Sequence, residues 1–261
     1  MDKCSNYLIE DDADELGHGS FGKVYECSVH NLTQTYSKRF ARKYFSLSPD
    51  FDQTHVKEIA DLRQRFNVEV KTQCILNNKN HTCIAPIVLF NTNGDKPYFV
   101  MELAEKNLLK CIQDGMTDLE KENAVTSIIK GLKTIHDNDY IHRDLNPKNI
   151  LKYHDGCFKI TDFGLVKDLN KLRAEIKTKF VAKGMGTDGY IAPEVEDSGE
   201  FSIQSDIYSV GKIISKIYPT PTPELRAIIT KCQSYFAEDR YNNADELLDE
   251  YLKTINTKEA A

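Results

Sequence analysis

The run Ile141-His142-Arg143-Asp144-Leu145-Asn146-Pro147-Lys148-Asn149-Ile150-Leu151, followed by Asp162-Phe163-Gly164, constrains this chain more than any other feature. Asp162 lies eighteen residues after Asp144 and is entered from the strand-like Phe158-Lys159-Ile160-Thr161. Whatever fold forms must converge these carboxylates, an amide and a cation. Upstream, residues 24–29, 40–45 and 98–103 have strand-like composition. Between them Val56, Ile59, Leu62, Phe66 and Val70 recur at helical steps. After about Glu105 the character turns helical, with apolar faces on Ala124, Val125, Ile128, Ile129, Leu132 and Ile135, then on Ile207, Val210, Ile213, Ile214 and Ile217. Residues 225–232 and 247–252 read as two further helices. The expectation is an α+β chain in two lobes: a small antiparallel-sheet lobe with one helix, then a larger, mostly helical lobe, with a ligand cleft between them.

The residue types in the central run suit phosphoryl transfer to an alcohol. That chemistry needs a carboxylate to orient the hydroxyl and take its proton, oxygen ligands for a divalent cation, and a positive charge near the transferred group. Asp144, then Asn149 with Asp162, then Lys148 offer these. Upstream, Gly17-His18-Gly19-Ser20-Phe21-Gly22-Lys23-Val24 is a glycine-rich turn leading into a strand. Glycines let backbone N–H groups approach phosphate oxygens, although the same pattern also serves a plain hairpin. A dinucleotide-binding turn would continue as helix, and Val24-Tyr25-Glu26-Cys27 reads as strand. Lys43, on the next strand, is either a phosphate-binding lysine held by Glu69 or a surface lysine grouped with Lys38, Arg39 and Arg42.

Together with Ala192-Pro193-Glu194, these motifs resemble the eukaryotic-type protein kinase family, in order, from Leu16 to Arg240. The resemblance implies one domain over residues 1–261, with residues 1–101 as the small lobe, 102–105 as the hinge and 106–261 as the large lobe. It implies ATP as phosphoryl donor with Mg²⁺, or alternatively Mn²⁺. Gly17, Gly19 and Gly22 would cover the phosphates above Lys43 and Glu69. Met101 resembles the residue at the back of the adenine site, and Glu102 and Leu103 the hinge. Leu16, Val24, Ala41 and Leu151 complete the nucleotide site. Asp144 would be the base, and Asn149 and Asp162 the metal ligands. Asp206 resembles the anchor of the catalytic loop, and Glu194 with Arg240 a structural ion pair. The resemblance implies a protein substrate. Gly186-Thr187-Asp188-Gly189-Tyr190 resembles the serine/threonine form of the substrate-docking segment, with Thr187 beside the catalytic aspartate. A nucleotide-binding scaffold without turnover, a dual-specificity kinase and a small-molecule kinase are the alternatives. Lys43, Asp144 and Asp162 speak against the first, and the Ala192-Pro193-Glu194 motif against the last.

Four departures from the family pattern stand out. Asn146 replaces the usual lysine, and Lys148, two residues on, is expected to substitute for it. Gln73 replaces an apolar residue one turn after Glu69, so either the helix register is shifted or the packing is weakened. The loop after Asp162 is basic (Lys167, Lys171, Arg173, Lys177, Lys179, Lys183), with Thr178 and Thr187 its only serine or threonine residues before Ala192. It reads as a solvated loop or as the seat of an acidic protein partner. Finally, only Pro219-Thr220-Pro221-Thr222-Pro223 joins two helices where most family members insert another.

A net charge of −6 gives no global reason to expect nucleic acid or an anionic membrane as partner. Seven scattered cysteines without a C-x-x-C pair read as reduced thiols of a cytoplasmic protein. Trimmed kinases that pathogens make suggest, by analogy, the cytoplasm of a host cell as an alternative. No leader or membrane-spanning stretch is expected. Residues 1–14 and 254–261 read as short polar tails, with the acidic cluster at 10–15 solvated or against the basic loop.

Overall fold

The β-branched and aromatic residues of the first hundred positions assemble one antiparallel sheet. The computed structural model describes residues 1–19, 22–47, 56–169 and 186–259. The strands are β1 (Asp2–Cys4), β2 (Tyr7–Gly19), β3 (Gly22–Asn31), β4 (Ser37–Phe45), β5 (Ile87–Asn91) and β6 (Tyr98–Glu102), in the order β1-β2-β3-β4-β6-β5. The sheet curls until its two edge strands, β1 and β5, approach each other. Alternation along β6 shows what drives this. Tyr98 and Val100 join Ile9, Cys27 and Val29 in one buried cluster, while Phe99 and Met101 join Ala41, Phe66 and Val70 in another. Phe66 and Val70 belong to α1 (Val56–Lys79), whose apolar stripe lies against the second face. β2 departs from regular pairing between Asp11 and Glu15 and again before Gly17.

The rest of the chain is built on helices. β7 (Lys106–Asn107) leads into α2 (Leu108–Asp114), then α3 (Asp118–Asp137), α4 (Pro193–Ser198), α5 (Ile203–Ile217), α6 (Pro223–Cys232) and α7 (Ala244–Glu259). Short strands β8 (Tyr140–Ile141), β9 (Ile150–Lys152), β10 (Phe158–Ile160) and β11 (Lys167–Asp168) carry the functional loops on this body. α3 starts with a reciprocal cap between Thr117 and Glu120, and α5 with one between Ser202 and Ser205. Ile128, Ile129, Leu132 and Ile135 of α3 pack with Ile207, Val210 and Ile214 of α5 in one core. Gly131 and Gly211 are required here: a Cβ would lie 2.7 Å from Ile160 at the first and 2.5 Å from Cys232 at the second. The expected α+β architecture of two unequal lobes is the one observed. α5 and α6 are joined by residues 218–222 alone, and Pro223 opens α6 behind the capping Thr222.

Three readings are corrected. Residues 2–4 and 7–14 are strand, not a polar tail: Ile9 is fully buried, and Asp2 and Asp11 bind the guanidinium of Arg42 at 2.7 and 3.3 Å. Ion pairing to a buried arginine substitutes there for the apolar pattern that would have marked a strand. Arg42 itself is 1% exposed and packs over Tyr98 and Tyr44, so it is no part of a surface basic patch. At the other end α7 runs to Glu259, because Leu247 and Tyr251 anchor it in the core.

Candidate active site

A cavity of about 810 Å³ opens between the sheet and the helical body. Leu16, Gly17, Gly22, Val24 and Ala41 line its sheet side, and Met101, Glu102 and Leu103 its back. Leu151, Asn149, Asp144 and Thr187 form the floor, with Lys43, Glu69 and Asp162 deep inside. Lys148 is exposed at the floor's outer edge. Gly19 lies next to the cavity-lining strand ends in sequence. It pairs with Gly22 at the end of the β2–β3 hairpin, whose tip, Ser20 and Phe21, lies outside the described residues.

β4 and α1 place the first cluster. The Lys43 ammonium lies 2.6 Å from Glu69 Oε1 and 3.1 Å from Asp162 Oδ1. Gly22 is needed above it, because a Cβ there would come within 2.9 Å of the lysine side chain. Burial opposes the charge on Lys43, but the Asp162 and Glu69 carboxylates outweigh it and raise its pKa. Burial pushes the Glu69 carboxyl up to about 7, with Lys43 acting against that rise. Desolvation inside the cleft pushes the Asp162 carboxyl up, yet the Lys43 ammonium holds it below the ordinary value. Since Glu69 meets Lys43, the helix register is not shifted. Gln73 is fully buried and donates from Nε2 to Ala85 O at 2.9 Å. Asn77 donates likewise to Ile84 O, so two amides tie α1 to the segment that pairs with Ile160, two residues before Asp162.

The second cluster surrounds Asp144. Thr187 Oγ1 donates to its Oδ1 at 2.8 Å, Asn146 Nδ2 reaches Oδ1 at 3.1 Å, and Asn149 Nδ2 donates to Oδ2 at 3.0 Å. Asn146 also donates to Thr187 Oγ1 at 2.9 Å and caps the 3₁₀ turn at Pro147–Asn149. Desolvation raises the Asp144 carboxyl, while the bonds from Thr187 and Asn149 act to lower it. His142 is fixed as a tautomer: its Nε2 faces the Thr161 carbonyl, an acceptor only, and its Nδ1 accepts from Asp144 N. Beneath them the buried Asp206 accepts from the backbone N–H groups of His142 and Arg143 at 2.8 and 2.9 Å, and lies 3.2 Å from His136 Nε2. Arg143 and Asp162 both adopt left-handed backbone, at φ 72 and 64. Such strain at non-glycine positions persists where surroundings over-determine it, as Asp206 and Lys43 do here.

Glu194 and Arg240 form a two-pronged ion pair, with both N···O distances 2.7 Å. His136 and the Asn146 network escaped sequence reasoning, because neither follows a pattern readable without the third dimension. Thr178 and the basic residues from Lys171 to Lys183 lie outside the described residues.

The donor set suits a hard divalent cation. Asn149 spends its amide N–H on Asp144 and keeps a carbonyl oxygen, and the Asp162 carboxylate is 42% exposed toward the cleft. Among the described residues no helix is long and apolar enough to cross a membrane.

A family model for the protein kinase domain matches residues 11–252. Mitogen-activated protein kinase spm1 of Schizosaccharomyces pombe is 32% identical over 208 residues, covering 78% of this chain and 47% of that protein. Cysteine-rich receptor-like protein kinase 24 of Arabidopsis thaliana is 30% identical over 212 residues, covering 78% of this chain and 30% of that protein. "Probable serine/threonine-protein kinase CA_C1728" of Clostridium acetobutylicum is 27% identical over 285 residues, covering 97% of this chain and 40% of that protein. The chain therefore spans less than half the length of each of these relatives. With the domain matched almost from end to end, the chain belongs to the protein kinase family.

Proposed function

We propose that the chain transfers the γ-phosphoryl group of ATP to serine and threonine hydroxyls of protein substrates. The observation that carries this reading is the 2.8 Å bond from Thr187 to Asp144. It joins the segment around Thr187 to the catalytic loop, which supports the resemblance of that segment to the serine/threonine form. One relative's name, a serine/threonine-protein kinase, agrees.

Asp144 is the base: it orients the acceptor hydroxyl and takes its proton as the bond to phosphorus forms. Lys43, steadied by Glu69, meets the α- and β-phosphates beneath Gly17, Gly19 and Gly22. Met101, Glu102 and Leu103, with Leu16, Val24, Ala41 and Leu151, enclose adenine. Asn149 and Asp162 would hold Mg²⁺, which would supply positive charge against that of the phosphates. Seven unpaired cysteines support a cytoplasmic location.

Lys148 supplies the cation that Asn146 does not. Its ammonium has no carboxylate partner among the described residues and stands at the cleft floor. Lys148→Ala should lower kcat by about 10²-fold, the scale of one preorganised donor. Asn146→Lys added to it should restore most of that loss, and near-full turnover of the single variant would refute the role. The overall reading is tested with labelled ATP, Mg²⁺ and a mixed protein substrate. Label on phosphoserine and phosphothreonine supports it; label confined to phosphotyrosine contradicts it.

A further inference from the structure

Tyr235 and Phe236 stand side by side at the surface of the helical body, both well exposed, with ring centroids 5.2 Å apart edge to face. Single exposed apolar side chains are ordinary, whereas adjoining exposed aromatics mark an interaction surface. The segment is fixed from beneath. Arg240 donates to the carbonyls of Ser234 and Tyr235 at 2.9 and 3.1 Å, and Gln233 Nε2 donates to Gly211 O at 2.9 Å. The Tyr235 hydroxyl meets Asp197 of α4 at 3.4 Å. The surround is acidic. Glu196 and Asp197 are exposed on α4, and Glu238 and Asp239 are exposed on the 3₁₀ turn at Ala237–Asp239, which follows Phe236 directly. None of these four forms an ion pair among the described residues, and the remaining carboxylate of α4, Glu194, is taken by Arg240. The Arg240 guanidinium lies 4.9 Å from the Tyr208 ring, and Lys212 stands over that ring at 6.0 Å. Setting Lys212 against the four carboxylates still leaves an excess of negative charge. Lys231 is turned instead to the Tyr241 ring and to Glu250.

We infer that Tyr235 and Phe236, with Asp197, Glu196, Glu238 and Asp239 around them, dock an arginine-rich segment of a protein partner. Arginine suits both parts of this surface. Its guanidinium stacks on an aromatic face and pairs with a carboxylate through two parallel N–H groups. A lysine ammonium answers the charge but stacks less well and offers no planar fork. Nucleic acid and anionic lipid are repelled by the same carboxylates. The rings are held by the bonds to Arg240 and Asp197, so little side-chain freedom is left to lose when a partner binds. The carboxylates are solvent-exposed, so their share of the binding falls as salt is raised. Binding here needs no phosphoryl transfer, and the inference stands apart from the kinase reading.

The test uses the full chain and fluorescence anisotropy with labelled peptides of equal length, rich in arginine, in lysine or in glutamate. The arginine peptide should bind most tightly, the lysine peptide several-fold more weakly, and the glutamate peptide not at all. Tyr235→Ala with Phe236→Ala should weaken the arginine peptide about tenfold, the scale of two exposed cation–aromatic contacts. Both side chains are exposed and the Arg240 bonds go to backbone, so this variant should keep the parent's thermal midpoint. Glu238→Lys with Asp239→Lys tests the same surface without touching the rings, and should remove binding of the arginine peptide. Equal affinity for arginine and lysine peptides overturns the inference, because diffuse negative charge would then account for both. Binding unmoved by the aromatic variant, or surviving the charge reversal, overturns it by placing the peptide elsewhere. No binding of the arginine peptide to the parent chain overturns it outright, and none of these outcomes bears on phosphoryl transfer.

Discussion

At the scale of single residues, the distinctive feature is the amide at position 146. A lysine there would place a cation beside Asp144; Asn146 places two N–H donors and no charge, and it bridges Asp144 to Thr187. Burial raises the Asp144 carboxyl, and no ammonium at 146 opposes that rise. The base works only when ionised. As pH falls through its pKa the carboxylate is protonated and turnover is lost, and a raised pKa brings this loss at a higher pH than for an exposed aspartate. We expect the acid limb of kcat/KM to lie above the ordinary aspartate range, and Asn146→Lys to move it to lower pH. A pH–rate profile from about pH 4 to about pH 8 checks both. Most of these residues were legible in the sequence, because the chemistry confines Asp144, Asn149 and Asp162 to short motifs at fixed separations. The direction of the Asn146 side chain was not, since a departure from pattern says what is missing and not what replaces it.

At the scale of elements, local composition and tertiary demand disagree in β1 and β2. Their acidic residues disfavour strand in isolation, yet the strands form because Arg42 is buried on their side of the sheet and requires Asp2 and Asp11. The sequence shows the charges but not the burial of a guanidinium forty residues away, which is why residues 1–14 read as a tail. Asp2→Asn with Asp11→Asn should leave Arg42 without a counter-charge. The cost should be about 2 kcal/mol, below the 3–5 typical of fully buried pairs because Asp2 is 59% exposed. Urea unfolding measures it, and no loss would mean that the aromatic rings alone hold Arg42. The long helices, by contrast, were readable: the 3.6-residue stripes of α3 and α5 are the faces that build the core. In α1, Gln73 interrupts such a stripe and finds Ala85 O instead, a partner that only the fold supplies.

At the scale of the whole molecule, two bodies of different construction meet at the cleft, and each holds part of the site. The sheet and α1 hold Lys43 and Glu69; the helical body holds Asp144 and Asn149 through Asp206. Asp162 bridges them through its contact with Lys43. The helical body is braced by Arg240, whose guanidinium is inaccessible to solvent and also donates to three backbone carbonyls. Arg240→Ala strands Glu194 and these carbonyls and should cost about 3 kcal/mol, read from denaturant midpoints. The account's central claim is that the Asp144 carboxylate takes the proton from a protein hydroxyl during phosphoryl transfer. The most direct measurement pairs turnover with nucleotide affinity in the Asp144→Asn variant. The account predicts a fall in kcat of about 10³-fold with ATP Kd essentially unchanged. Turnover retained within a few-fold of the parent would contradict it.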